Sequence, residues 1–172
     1  GGVHKGFADL LGAGLIETMP RLLGVQPDGS AALARAWRAG ATDCEPVVSR
    51  TVADSLAVDC PRDQRKALRA VRDSGGAFVT VPDTAILSSQ RRLAAQAGLL
   101  VEPAAAAAAA GLQAALRDGV VRGGADTEIV LLHTGNGLKD VRALEQAADA
   151  HPPIEVPPDL ERVLAALQSK RA

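Results

Sequence analysis

The feature that most constrains this chain is its alternation. Short apolar runs are separated by longer stretches with helical spacing, and Gly, Pro, Asp and Ser mark the joints. Arg21–Gln26 (RLLGVQ), Ala77–Val81 and Glu128–Leu132 (EIVLL) read as strands, with a shorter one at Leu99–Val101. Helical spacing covers Lys5–Leu15, Pro61–Ser74, Asp83–Gln96, Ala104–Arg117, Asp140–Ala150 and Asp159–Ser169. A further helix carries Leu33, Ala34 and Trp37 and is expected to be capped by Ser30, as Asp83 caps its own. Strands alternating with helices through short loops predict an α/β fold with a mainly parallel sheet flanked by helices.

Composition narrows what fills that fold. Aromatic residues are 2% of the chain (Phe7, Trp37 and Phe78, with no Tyr), so the core is aliphatic. The run Ala104–Ala110 predicts a helix that packs very close to a sheet or to another helix, since alanine is the best helix former. A length of 172 residues suits one well-buried core. Nineteen basic residues against twenty acidic ones give a net charge of -1, which excludes a general electrostatic attraction to nucleic acid. No apolar run approaches the ~18 residues of a membrane span, and no secretory signal is recognisable. Cys44 and Cys60 lack metal or CxxC spacing and read as two free thiols in a reducing cytoplasm. His4, His133 and His151 lie far apart in sequence, without metal-ligand spacing.

In parallel sheets ligands bind at the carboxyl ends of strands, which selects three places. Thr134-Gly135-Asn136-Gly137 follows EIVLL and offers a hydroxyl beside glycines that permit close approach of a flat ligand. An ordinary strand-to-helix turn has the same pattern. Glu102-Pro103 opens the polyalanine helix, where the helix dipole favours a carboxylate, whether as a ligand contact or simply as a helix-start acid. Thr51–Ser55 places small polar residues at a similar boundary, with capping as the plainer reading. Gly1-Gly2 precedes a helix and fits the tail of an anion-cradling turn.

Taken together, Lys5–Ile16 (KGFADLLGAGLI), Pro20–Gln26 (PRLLGVQ), Lys66–Gly76 (KALRAVRDSGG), Val101-Glu102-Pro103 and Thr134–Asp140 (TGNGLKD) resemble the C-terminal half of the threonine synthase family. These are pyridoxal-phosphate enzymes of fold type II, the tryptophan-synthase-β-like group. Order and spacing match from Gly1 to about Asp140. The resemblance implies that residues 1–150 are the C-terminal part of the large cofactor-binding domain. Residues 151–172 are then a proline-rich connector and a last helix. It implies pyridoxal 5'-phosphate as cofactor, with Thr134 bonded to the pyridine nitrogen and Gly1 and Gly2 ending the phosphate loop. Ser55 and Glu102 would lie near the ring, and Gly135 and Asn136 would form the wall beside Thr134.

The implied reaction converts O-phosphohomoserine and water to threonine and phosphate. The implied protein is cytoplasmic and commonly a homodimer. The family's Schiff-base lysine sits in an S-F-K-D-type motif, which Lys5, Lys66, Lys139 and Lys170 all lack. No catalytic residue is therefore assigned here. With the abrupt start at Gly1, this predicts a piece whose N-terminal half is missing and which is inactive alone. Two alternatives stand beside this: another fold type II enzyme (dehydratase, ammonia-lyase or cysteate-synthase-like), or a non-catalytic remnant that acts as a packing module.

Overall fold

The computed structural model describes residues 1–148 and 155–169. Its elements are α1 (Gly2–Gly12), β1 (Leu23–Pro27), α2 (Ala32–Arg38), α3 (Gln64–Asp73), β2 (Ala77–Val81), α4 (Asp83–Ala97), α5 (Pro103–Arg117), α6 (Val141–Ala148) and α7 (Leu160–Ser169). β1 and β2 pair in parallel, in register from Leu23 opposite Ala77 to Pro27 opposite Val81.

Side chains on a strand alternate between its two faces, so β2 feeds two cores. Phe78 joins Ala34 and Ala36 of α2 and Leu68 and Val71 of α3 on one face. Val81 joins Ile86 of α4 and the alanines of α5 on the other. The expected close packing of the alanine run is present: Ala105, Ala106, Ala107, Ala109 and Ala110 are all buried. A Cβ at Gly111 would lie 2.2 Å from Val25 Cγ2, so the helix meets the strand at a distance that only glycine permits. Pro103 opens α5, where its missing N–H costs nothing. Gly75 (φ 63) and Gly98 (φ 66) take the left-handed conformation after α3 and α4, as their positions in the sequence predict.

Several local expectations are corrected. EIVLL forms no strand. A strand exists through its ladder partners, and among the described residues this run has none. Val130 is 83% exposed and Leu132 56%. Leu99–Val101 contributes only Val101, in a single antiparallel bridge to Asn136. Ser30 caps no helix; it lies buried in a 3-10 turn and its hydroxyl bonds to another loop. Asp83 is the first residue of α4, and its carboxylate also turns to a neighbouring loop. α1 begins at Gly2 and buries none of its residues. Residues 149–150 at the end of the expected helix Asp140–Ala150, residues 151–154 of the proline-rich connector and residues 170–172 lie outside the described residues.

Candidate cofactor site

Two loops meet beyond the carboxyl ends of the strands. The first is held by Ser30 and Asp83. Ser30 Oγ donates to the Leu56 carbonyl (2.7 Å) and accepts from the Val58 N–H (3.2 Å). With its one proton committed there, its 3.1 Å contact with Ser49 Oγ requires Ser49 to donate. Asp83 accepts from Thr51 Oγ1 (2.6 Å) and from the Val52 N–H (2.9 Å). These bonds anchor both ends of the 3-10 turn Asp54–Leu56, which presents Ser55 to solvent. Asp59 accepts from the backbone N–H of Ser49 at 2.8 Å, and that bond holds its carboxyl below the usual aspartate range.

The second loop runs from His133 to Lys139 and wraps the start of α5. The Glu102 N–H donates to the Gly135 carbonyl, and the Gly137 N–H donates to the Leu100 carbonyl, both at 3.0 Å. His133 Nδ1 lies 2.9 Å from the Ala105 carbonyl, a contact that requires the Nδ1–H tautomer or the imidazolium. Buried Gln90 of α4 donates from Nε2 to the Val101 carbonyl at 2.7 Å, on the segment that this loop bridges. The Asn136 side chain accepts from the Leu138 N–H and so closes the turn instead of reaching outward.

Glu102 is the centre of this arrangement. Its side chain is 12% exposed, and Oε2 lies 3.0 Å from Lys139 Nζ. A Cβ at Gly135 would sit 1.9 Å from Oε1, so the carboxylate occupies the space that the glycine leaves empty. A cleft of about 370 Å³ opens beside this pair, lined by Ser55, Glu102, Pro103, Lys139 and Arg142 among others. That volume lies within the ~300–1,000 Å³ common for small-molecule sites.

The structure thus brings Ser55 and Glu102 to one cleft and packs Gly135 directly on Glu102. Thr134 adjoins that contact in sequence and is exposed. Gly1 and Gly2 are exposed at the start of α1 and line no part of the cleft. Apart from its chain neighbours and its own helix, nothing lies within 4 Å of a Cβ at Gly2. The hydroxyl, carboxylate and glycine set fits the ring side of pyridoxal phosphate, whereas the described residues form no phosphate cradle around Gly2. The sequence reading missed two residues, Lys139 and Gln90. Lys139 lies inside the TGNGLKD motif, but nothing in the sequence pairs it with Glu102, which is 37 residues away. Gln90 gave no sequence signal, because a polar residue on a helix ordinarily faces water.

In open α/β layers, small molecules and cofactors are held at the carboxyl ends of the strands, which is where this cleft lies. Residues 1–135 match the family model described as "Pyridoxal-phosphate dependent enzyme", and the chain belongs to that family. It is 36% identical over 169 residues to threonine synthase of Methanocaldococcus jannaschii, covering 96% of this chain and 41% of that protein. It is 37% identical over 139 residues to threonine synthase of Methanosarcina acetivorans, covering 80% and 34%. The chain spans about two fifths of the length of the curated relatives it matches. Among solved structures, it superposes on a fungal L-serine ammonia-lyase from Rhizomucor miehei with a TM-score of 0.63 at 23% identity, covering 83% of this chain and 44% of that one. This likeness places the fold in type II of the pyridoxal-phosphate enzymes, and pyridoxal phosphate is the family's cofactor. No helix among the described residues is long and apolar enough to cross a membrane.

Proposed function

We propose that this chain supplies the C-terminal wall of the cofactor site of a threonine synthase, acting on O-phosphohomoserine and water to give threonine and phosphate. One observation carries the reading. The TGNGLKD loop, which resembles the corresponding motif of the threonine synthase family, closes on Glu102 of the Val-Glu-Pro element at the mouth of a cleft. Further support comes from the 36–37% identity to threonine synthases over most of the chain.

When bound, pyridoxal phosphate supplies an electron sink for elimination and replacement at an amino acid's side chain. The chain's own residues would do the holding. The Thr134 hydroxyl is assigned to the pyridine nitrogen; a neutral hydroxyl does not keep that nitrogen protonated as a carboxylate would. Ser55 and Glu102 would line the ring, and Gly135 and Asn136 would form the wall beside Thr134. Gly1 and Gly2 would belong to the phosphate loop. The lysine that anchors the cofactor is assigned to polypeptide that this chain does not contain. Alone, the chain should form no borohydride-reducible adduct with the cofactor on any one lysine. The proposed protein is a cytoplasmic homodimer.

The test is genetic. The segment of Methanocaldococcus jannaschii threonine synthase that matches this chain is replaced by this chain, and the chimera is expressed in a host lacking its own threonine synthase. Growth without added threonine is expected. Failure to grow, with soluble chimera that retains pyridoxal phosphate, would refute the assignment of the reaction.

A further inference from the structure

We propose that Lys139 is a positioning residue. By holding the Glu102 carboxylate in the space left by Gly135, its ammonium pins the Thr134–Asn136 loop to the start of α5. The consequence for cofactor binding rests on the function proposed above; the clamp itself does not.

The loop needs such a clamp. It meets the Leu100–Glu102 edge through one antiparallel bridge, Val101 to Asn136, flanked by two 3.0 Å backbone bonds. A two-stranded contact this short is marginal in water. Asn136 and Leu138 are exposed, so apolar packing adds little on the loop's outer side. The Leu100–Glu102 edge is fixed from within by the bond from Gln90 to the Val101 carbonyl. At its C-terminal end the loop continues into α6, whose Ala143 is buried and donates to Asp140 Oδ1; among the described residues, two of the loop's side chains reach back to the start of α5. His133 does so at one end and Lys139 at the other.

The Lys139 contact has a particular geometry. Glu102 Oε1 fills the Gly135 position while Oε2 faces the ammonium. The carboxylate is therefore gripped between the loop's backbone and the loop's own cation. At 12% exposure it is largely withdrawn from water, and among the described residues Lys139 is its one ion-pair partner. Lys139 is 61% exposed, so the pair is shielded on the glutamate's side alone; removing the cation leaves the withdrawn carboxylate as a charge that seeks water. For Glu102 that means leaving its seat against Gly135, which releases the loop. Arg142 also lines the cleft but is not paired with Glu102, and it serves as the control.

Amide hydrogen exchange on the full 172-residue chain, without cofactor, reads this directly. In Lys139→Met the Glu102 and Gly137 amides should exchange about fivefold faster, the size of a partly shielded pair. Amides of β2 should not change, Lys139→Arg should restore protection, and Arg142→Met should match the parent chain. Raising NaCl to ~1 M should reproduce the Lys139→Met effect in the parent chain and add nothing in the variant, because salt screens the pair. Unchanged Glu102 and Gly137 amides in Lys139→Met would overturn the proposal. So would acceleration that reaches β2 equally, an effect of the same size in Arg142→Met, or absent rescue by arginine. Because no cofactor is present, a negative result counts against the clamp and leaves the threonine synthase reading to its own test.

Discussion

Gly111→Ala tests how α5 seats on the sheet. The new methyl would lie 2.2 Å from Val25 Cγ2, 2.6 Å from Cγ1 and 3.0 Å from Cβ. Val25 sits on β1 and is β-branched, so it has little rotamer freedom with which to retreat. The strand itself is pinned by β2. Overpacking of this kind costs about 1–3 kcal/mol, and contacts this short belong at the upper end. Replacing glycine by alanine inside a helix returns about 1 kcal/mol. The net loss is then about 2 kcal/mol, or ~4–8 °C in Tm for a domain of this size. Val25→Ala removes the obstructing methyls. The 3.0 Å contact with Cβ remains, so in that background Gly111→Ala should cost clearly less than the ~2 kcal/mol it costs in the parent chain. The assay is urea and thermal unfolding of the four members of the cycle. A Gly111→Ala loss of the same size in both backgrounds would refute the close seating of the helix.

Other expectations follow from the same contacts. Gly135→Ala places a methyl 1.9 Å from Glu102 Oε1 and should expel the carboxylate, seen as loss of the Glu102–Lys139 contact in a crystal structure of the variant. Ser30→Ala strands the Leu56 carbonyl and the Val58 N–H and should cost about 1–3 kcal/mol in urea unfolding. The lowered pKa of Asp59 means its ionised form is favoured by the fold. That stability is present above the unfolded value of about 3.9 and is lost as pH falls through the lower folded value. Asp59→Asn should therefore flatten the acid limb of the stability profile measured by circular dichroism. In the chimera, Thr134→Val should weaken retention of pyridoxal phosphate in equilibrium dialysis while leaving the thermal unfolding of the apoprotein unchanged. Unaltered retention would show that another group meets the pyridine nitrogen.

Where the sequence was legible, local chemistry and tertiary packing agreed. β2, the polyalanine helix and the glycines after α3 and α4 are present where spacing, propensity and turn chemistry place them. EIVLL misled because an apolar run records only that burial is favourable. Whether it becomes a strand depends on neighbours, and the described residues provide it none. Ser30 and Asp83 misled for a related reason. Both have capping chemistry, but their oxygens bond to Leu56 and to Thr51, partners brought near only by the fold. In the site, the Glu102 and Gly135 elements were legible as motifs. Their mutual contact, and the role of Lys139 in it, were not, because charge complementarity between distant segments leaves no periodic trace in the sequence.

The central claim is that this chain completes a threonine synthase site, and phosphate release measures it most directly. The purified chimera with the Methanocaldococcus jannaschii enzyme, loaded with pyridoxal phosphate, is given O-phosphohomoserine, and inorganic phosphate and threonine are quantified together. Equal amounts of the two products are predicted, with no ammonia released from serine or threonine at a comparable rate. Ammonia release from serine or threonine, without phosphate release from O-phosphohomoserine, would contradict the assignment and place the chain with the dehydratases and ammonia-lyases of the same fold.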